Sequence, residues 1–405
     1  MQKESNAVPN ALSAVPAPYL RAVQLPIVVH SHLRWDFVWQ RPQQILARLA
    51  PFHRIAFVEE PVFDTAETDL VVTEPMQNVV RIVPRLHDAR GRDTDAQCTQ
   101  ILAHLKRAFQ SHPLLAGRFD RVIHWFYSPM AAPSFLGAFD AAAIVYDCMD
   151  ELAKFRGAPS DLPDRESILL AAADVVFTGG YQLYKRKSRL HENVHFFGCG
   201  VDADHYARAR EAETIVPDDI CDLPHPLAGY FGVIDERLDY PLIERLADAF
   251  ADGSVVLIGP TAKIDPEQLP RRRNLHWLGQ RSYDDLPAYV KAFDVCLMPF
   301  ALNDATENIN PTKTLEYMAA AKPIVSTAIA DVVRNFAPIV DIAGSHDEFV
   351  AIARRSALAP DGDRIARGIE CARGATWDAT VREMHAHVLA VVEAKQAIAR
   401  QLVSA

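Results

Sequence analysis

Short apolar runs alternate with helical patterns along almost the whole chain, and this rhythm limits the fold more than any other feature. Such alternation is the mark of βαβ units and a mostly parallel sheet. In the first half, strands are expected at 24–30, 54–58, 79–83, 121–125, 143–146, 174–177 and 194–197, with helices between them that include 35–49, 95–110, 166–172 and 182–190. The rhythm breaks at 207–226, where ARAREAETIVPDDICDLPHP is charged and Pro-rich, as an interdomain connection would be. It then restarts, with strands expected at 227–232, 254–258, 275–278, 295–299, 323–326 and 338–342, and helices at 240–250, 283–292, 312–321 and 346–356. Residues 376–402 form one long helical pattern with no strand to follow, and should return to pack on the first domain. The expected organisation is a loose arm over 1–22, an α/β domain over 23–215 completed by 376–405, and a second α/β domain over 225–375. Two consecutive α/β units place a cleft at the carboxyl ends of both sheets, where open α/β sheets bind ligands.

Composition narrows the function. With 49% hydrophobic and 23% charged residues, a normal core can form. A net charge of -10 argues against nucleic acid as the main partner, because phosphate backbones need a basic face. The cysteines (Cys98, Cys148, Cys199, Cys221, Cys296 and Cys371) lie far apart, with no Cys-x-x-Cys pair and no zinc spacing. Cys148 and Cys296 sit in apolar runs and read as core residues, and a reducing cytoplasm fits best. The polar, Pro/Ala-rich start has no apolar signal core, and no run of about 18 apolar residues suggests a membrane span.

The most informative stretch is DVCLMPFALNDATENINPTKTLEYMAAAKPIVST, residues 294–327. An apolar strand leads into a polar loop, and Asn310-Pro311 is expected to open a helix, with Asn310 as the N-cap and Pro311 at the first helical position. The N–H groups of Thr312 and Lys313 would then form an anion site, to which Lys313 adds a full charge. Glu316, three residues on, could accept two hydrogen bonds from a ribose diol while Lys313 holds phosphates. The plainer alternative is a capped helix carrying an exposed Lys–Glu pair, worth little.

The segment NPTKTLEYMAAAKPIVST resembles the nucleotide-binding segment of GT-B glycosyltransferases. Many of these carry a Glu-x7-Glu motif whose second Glu binds the ribose. Glu316 matches that second Glu, the first falls on Asn308 with Glu307 beside it, and Ala321 stands where the family usually has Gly. The resemblance implies two Rossmann-like domains facing across a cleft, with a nucleoside diphosphate sugar of UDP or GDP type as co-substrate and no cofactor. It places Asn308 and Asn310 on the sugar side. In similar enzymes the loop after the first strand of the second domain gives a basic residue to the diphosphate, and in LAGYFGVIDERLDYPL that residue is Arg237; an Arg bonded only to Asp235 or Asp239 is the alternative. The loop from Gly279 to Tyr283 would frame the nucleobase, with Gly279 and Arg281 as contacts, and Lys263 would reach the phosphates.

On the first domain, His32 follows a strand and is a candidate for contact with the transferred sugar or a phosphate, although a lone His is more often structural. In AAAIVYDCMDELAKF, Asp147, Asp150 and Glu151 lie just past an apolar strand. Some inverting GT-B enzymes carry a catalytic Asp in a similar Tyr-Asp-x-x-Asp run, which makes Asp150 the candidate base; a helix N-cap is the alternative. The triplets Asp202-Ala203-Asp204 and Asp361-Gly362-Asp363 read as turn and cap residues, so cations rather than a metal are expected to stabilise the leaving diphosphate. The basic run YKRKSRLH, 184–191, is either a solvated helix face or a contact for anionic lipid at the inner face of the membrane.

These features point to a metal-independent transferase that moves a sugar to a hydroxyl of a saccharide or lipid-linked acceptor, in surface polysaccharide or glycolipid synthesis. Two rivals share the architecture: a nucleotide-sugar epimerase, and a non-catalytic assembly protein that keeps a nucleotide pocket.

Overall fold

The computed structural model describes residues 25–65, 67–87 and 94–404. The arm expected at 1–22 lies outside them. In the first half the strands are β1 (Ile27–Ser31), β2 (Ile55–Glu59), β3 (Val62–Thr65), β4 (Asp69–Met76), β5 (Val79–His87), β6 (Arg121–Phe126), β7 (Asp140–Cys148), β8 (Val175–Thr178) and β9 (Val194–Phe196). They form one sheet in the order β3-β5-β2-β1-β6-β7-β8-β9, with β4 antiparallel on β5 and the other pairs parallel. The second half contains β10 (Leu227–Phe231), β11 (Ser254–Ile258), β12 (Leu275–Gly279), β13 (Val295–Met298), β14 (Ile324–Thr327) and β15 (Asp341–Ala343). These run parallel in the order β12-β11-β10-β13-β14-β15, the doubly wound arrangement whose ligand crevice opens at the carboxyl ends beside the first strand.

The strands read clearly from sequence because most are buried on both faces. Ile27 and Val29 of β1 enter one core layer and Val28 the other. Strands β3 and β4 were not expected. Along β4 the residues alternate between exposed and half-buried, so it makes no apolar run.

The helix expected over 35–49 begins only at Arg41, with Pro42 in its first turn. The Gln40 backbone is extended, and its N–H donates to Gln43 Oε1 at 3.2 Å, which starts the helix there. Trp35, Phe37 and Trp39 therefore lie on a loop, where Trp35 packs edge-on against Phe57. The terminal helix Trp377–Ser404 does return to the first sheet. Trp377, Val381, Met384, Val388, Leu389 and Val392 complete that sheet's inner layer. No helix of the described residues is long and apolar enough to cross a membrane.

The two halves touch through defined polar contacts. Asn310 Nδ2 donates to Gly179 O at 3.2 Å, and Tyr181 N–H donates to Asp331 Oδ2 at 2.7 Å. Arg186–Glu307, Lys154–Asp304 and Arg156–Glu236 pair across the cleft at 2.9, 3.3 and 3.3 Å.

Candidate active site

A cavity of about 470 Å³ opens between the halves at the carboxyl ends of β7, β10 and β11. From the second half it is lined by Lys313, Glu316, Thr312, Arg237 and Arg281, and from the first by Asp150 and Arg41.

Lys313 and Glu316 are held by the short helix Lys313–Ala319 after β13. The Lys313 ammonium lies 5.6 Å from the centre of the Tyr230 ring. Its stem rests against Gly232, where φ is 144° and a β-carbon would overlap the Lys313 side chain. Lys313 makes no ion pair within 4.0 Å among the described residues, so the exposed Lys–Glu pair of the plainer reading does not form. Burial lowers its pKa; Glu316 opposes that shift and Arg237 adds to it. Burial pushes the Glu316 carboxyl up to about 7, against the pull of Lys313 and the nearby Tyr206 hydroxyl. Such a carboxyl needs a donor to stay ionised near neutrality.

The expected cap is corrected. Thr312, not Asn310, is the residue before the helix, and no side chain caps it. Asn310 lines the cavity and spends its amide on Gly179, and its carbonyl accepts from Cys199 Sγ at 3.1 Å, so it joins the halves instead.

Arg237 reaches the cavity while its guanidinium also holds the Asp235 carboxylate at 2.7 to 3.0 Å. The Phe155 ring lies 5.8 Å from Arg237 and 5.7 Å from the Lys263 ammonium. Asp150 is not a helix cap: Glu151 precedes the short helical turn Leu152–Lys154. The Asp150 carboxylate has no hydrogen bond or ion pair among the described residues. Burial raises its pKa, opposed by Arg237 and Arg41.

Of the other expected positions, His32, Lys263, Gly279 and Asn308 fall outside the cavity wall. His32 is not in its wall; its Nδ1 is buried without a partner, and burial with Lys263 nearby lowers its pKa to about 4. Lys263 and Gly279 are not in the wall either, and Gly279 O accepts from Gly259 N–H at 2.9 Å. Asn308 is 2% exposed, and both of its side-chain polar atoms are buried without partners. Arg281 is in the wall but bonds Tyr289 Oη at 2.7 Å and Asp219 Oδ2 at 2.6 Å. Of the two Asp-x-Asp triplets, Asp361 accepts from Arg364 N–H as a helix cap, whereas Asp202 precedes the helix Ala203–Ala207 without a side-chain cap bond and lies 3.6 Å from Arg48. Cys148 and Cys296 are core residues.

Sequence reasoning missed several residues. Arg41 binds Asp147 at 2.8 Å through a fully buried pair, and its Nη1 donates to Phe197 O. The signal was an arginine in the first turn of an apolar helix, where the dipole disfavours a cation unless a carboxylate answers it. Tyr283 stacks on His205 at 4.2 Å and accepts from Gln44 Nε2, and Gln280 donates to Phe37 O, so the 280–283 loop meets the Trp-rich loop. The basic run 184–191 is partly consumed inside the protein, since Lys187 is 3% exposed and Arg186 pairs with Glu307.

Residues 239–355, which hold Arg237's neighbours, Lys313 and Glu316, match the family described as Glycosyl transferases group 1. Over 288 residues the chain is 23% identical to TuaH of Bacillus subtilis (strain 168), named as a teichuronic acid biosynthesis glycosyltransferase; the match covers 65% of this chain and 71% of that one. The α,α-trehalose 6-phosphate synthase of Burkholderia multivorans superposes with a TM-score of 0.64 at 14% identity, covering 92% of this chain and 100% of its own. Sucrose-phosphate synthase of Thermosynechococcus elongatus gives 0.63 at 16% identity over 94% and 99%. The E. coli trehalose-6-phosphate structure bound with UDP-2-fluoro glucose gives 0.62 at 14% over 90% and 99%. With two doubly wound sheets closing on one cleft, the chain has the GT-B fold, and the second wall of that cleft carries the segment that matches the group 1 glycosyl transferases.

Proposed function

We propose that this protein transfers a sugar from a nucleoside diphosphate sugar, of UDP or GDP type, to a hydroxyl of a saccharide or lipid-linked acceptor in surface polysaccharide synthesis. One observation carries the reading: Lys313, without an ion pair among the described residues and seated on Gly232, shares a cavity with Glu316 and Arg237. Lys313 and Arg237 would hold the diphosphate and stabilise the charge that grows as it leaves, which is where preorganised cations give most rate. Glu316 would accept the ribose hydroxyls. In a transfer that inverts the anomeric centre, Asp150 would take the proton from the acceptor: its carboxylate lines the cavity without a hydrogen-bond partner among the described residues, and burial raises its pKa. The reading is metal-free, and turnover in the presence of a chelator tests that part. The kinship with TuaH, named for teichuronic acid biosynthesis, supports a polysaccharide acceptor, and the neighbour bound with UDP-2-fluoro glucose supports a nucleotide-sugar donor.

The test is a thermal-shift screen of UDP, GDP, UDP-glucose, UDP-N-acetylglucosamine and GDP-mannose, repeated on Glu316→Ala. A ligand at 100 times its Kd should stabilise by roughly 2.7 kcal/mol. Lack of any stabilising nucleotide, or undiminished stabilisation in the variant, would refute the site. Product analysis then separates a new glycosidic bond from an epimerised donor.

A further inference from the structure

We infer that Lys187 is a positioning residue that fixes the loop carrying Asp150; this rests on the reading of Asp150 as the base. The loop follows β7, and both of its ends are pinned by buried ion pairs. At one end Asp147, 0% exposed, is held by Arg41 at 2.8 Å. At the other end Lys187 donates to Glu151 at 3.4 Å and to both oxygens of Glu166 at 2.7 Å. Tyr146 Oη also donates to Glu166, at 2.7 Å, so Glu166 ties the ammonium back to β7 itself. Between the two clamps the Asp150 carboxylate has no hydrogen bond or ion pair among the described residues. The carboxylates on either side are occupied by cations, and the one that faces the cavity is left free.

The arrangement is not explained by stability alone. Buried ion pairs contribute little net stability, because desolvation offsets most of the attraction, whereas removing one partner leaves a charge stranded. What such a pair does well is hold geometry, and a base must stay within hydrogen-bond reach of the hydroxyl it serves. The loop is also connected to the opposite wall. Arg186, next to Lys187, lies 3.8 Å from Glu151 and 2.9 Å from Glu307 of the second half. The residue immediately after Asp150 is thus linked through Arg186 to the opposite wall.

The test compares Asp150→Asn, Lys187→Met, Lys187→Arg and Glu151→Gln in the full chain, with the donor selected by the screen above and release of nucleoside diphosphate as readout. Glu151→Gln keeps the Lys187–Glu166 pair, so it remains informative if Lys187→Met does not fold. Lys187→Met and Glu151→Gln are expected to lower kcat ten- to a hundred-fold with donor KM changed less than threefold. They should also displace the pH-rate limb that Asp150→Asn abolishes, and Lys187→Arg should restore part of the rate. In the Asp150→Asn background, Glu151→Gln should cause no further loss. If Asp150→Asn is inactive but folded Glu151→Gln keeps the original kcat and pH limb, the positioning role is wrong while the base assignment stands. If Asp150→Asn is fully active, or the unsubstituted protein turns over none of the donors, both readings fall.

Discussion

Lys313 and Gly232 are in van der Waals contact across the wall of the cleft, and the contact requires the glycine twice over. A β-carbon at position 232 would overlap Lys313 Cε, and the backbone there has φ 144°, a conformation that L side chains rarely adopt. Gly259 packs on the Gly232 carbonyl in the same way, so the ends of β10 and β11 approach closely beneath the ammonium. Gly232→Ala should therefore displace Lys313 and strain the turn. A strained residue of this kind costs about 1–3 kcal/mol. The expected result is a lower melting temperature and at least a tenfold loss of UDP or GDP affinity by calorimetry. An unchanged Kd would show that Lys313 does not contact the nucleotide.

Glu316 gives the site a pH signature. Its carboxyl is pushed up to about 7 by burial in the cleft wall. Binding a ribose diol requires the ionised form as acceptor, so below pH 7 the carboxyl must first lose its proton. Nucleotide affinity should fall by up to about tenfold per pH unit as pH drops below that value. Glu316→Gln should bind weakly and show a flat pH profile. The stability of the unliganded protein should move the opposite way for this group. Because its folded pKa is raised, its contribution is full below about 4.5 and is lost as pH rises to about 7. Calorimetric titrations between pH 5.5 and 8, with unfolding followed in parallel, check both signs.

The alternation of elements and the crevice at the strand ends were legible from the sequence because they depend on local pattern. Parallel strands covered on both faces are continuous apolar runs, and the Asn-Pro-Thr-Lys stretch after β13 stands out by composition. What stayed hidden depends on partners far away in the chain. Arg41 and Asp147 are 106 residues apart, and Lys187 reads as one cation in a basic run until the fold turns it inward onto Glu151 and Glu166. Asn308 is the converse case: its alignment with an acidic position points to the sugar, but the loop buries it at the junction of the halves, where Gly180 meets its backbone carbonyl. A β4 whose burial alternates has no run to detect.

Docking of the terminal helix should be acid-sensitive. His53 Nδ1 lies 2.7 Å from Leu25 O, a pure acceptor, so Nδ1 carries the proton and His53 Nε2 must accept from His385 Nε2, 2.8 Å away. Protonating His53 would set two N–H groups head-on. Burial holds both rings to about 4, His385 being lowered further by His53. A histidine depressed in the folded state favours unfolding as it titrates, so this contribution is full above about 6.5 and is lost as pH falls toward 4. Melting temperatures should therefore drop between pH 6.5 and 4.5. His385→Gln, whose amide can still donate to His53, should show a shallower drop. Equal slopes would mean that the pair does not control acid unfolding.

Ala321 offers a gain in stability at the end of the nucleotide-site helix. Ala321 N–H donates to Met318 O at 3.0 Å and Lys322 N–H to Tyr317 O at 3.1 Å, the two bonds of a Schellman cap, which puts Ala321 at the left-handed position. Its φ is 59°. An L residue other than glycine loses roughly 1–2 kcal/mol there. Glycine removes that strain but returns about 0.4–1 kcal/mol to the unfolded chain as entropy. Ala321→Gly should therefore stabilise the second half by up to about 1 kcal/mol. In a unit of this size that corresponds to a rise in Tm of about 2–4 °C. Ala321→Val, β-branched at the same φ, should lower Tm by more than the glycine raises it. If the glycine variant melts below the parent, packing of the Ala321 methyl outweighs the backbone strain, and the alanine is retained for contact rather than tolerated at a glycine position.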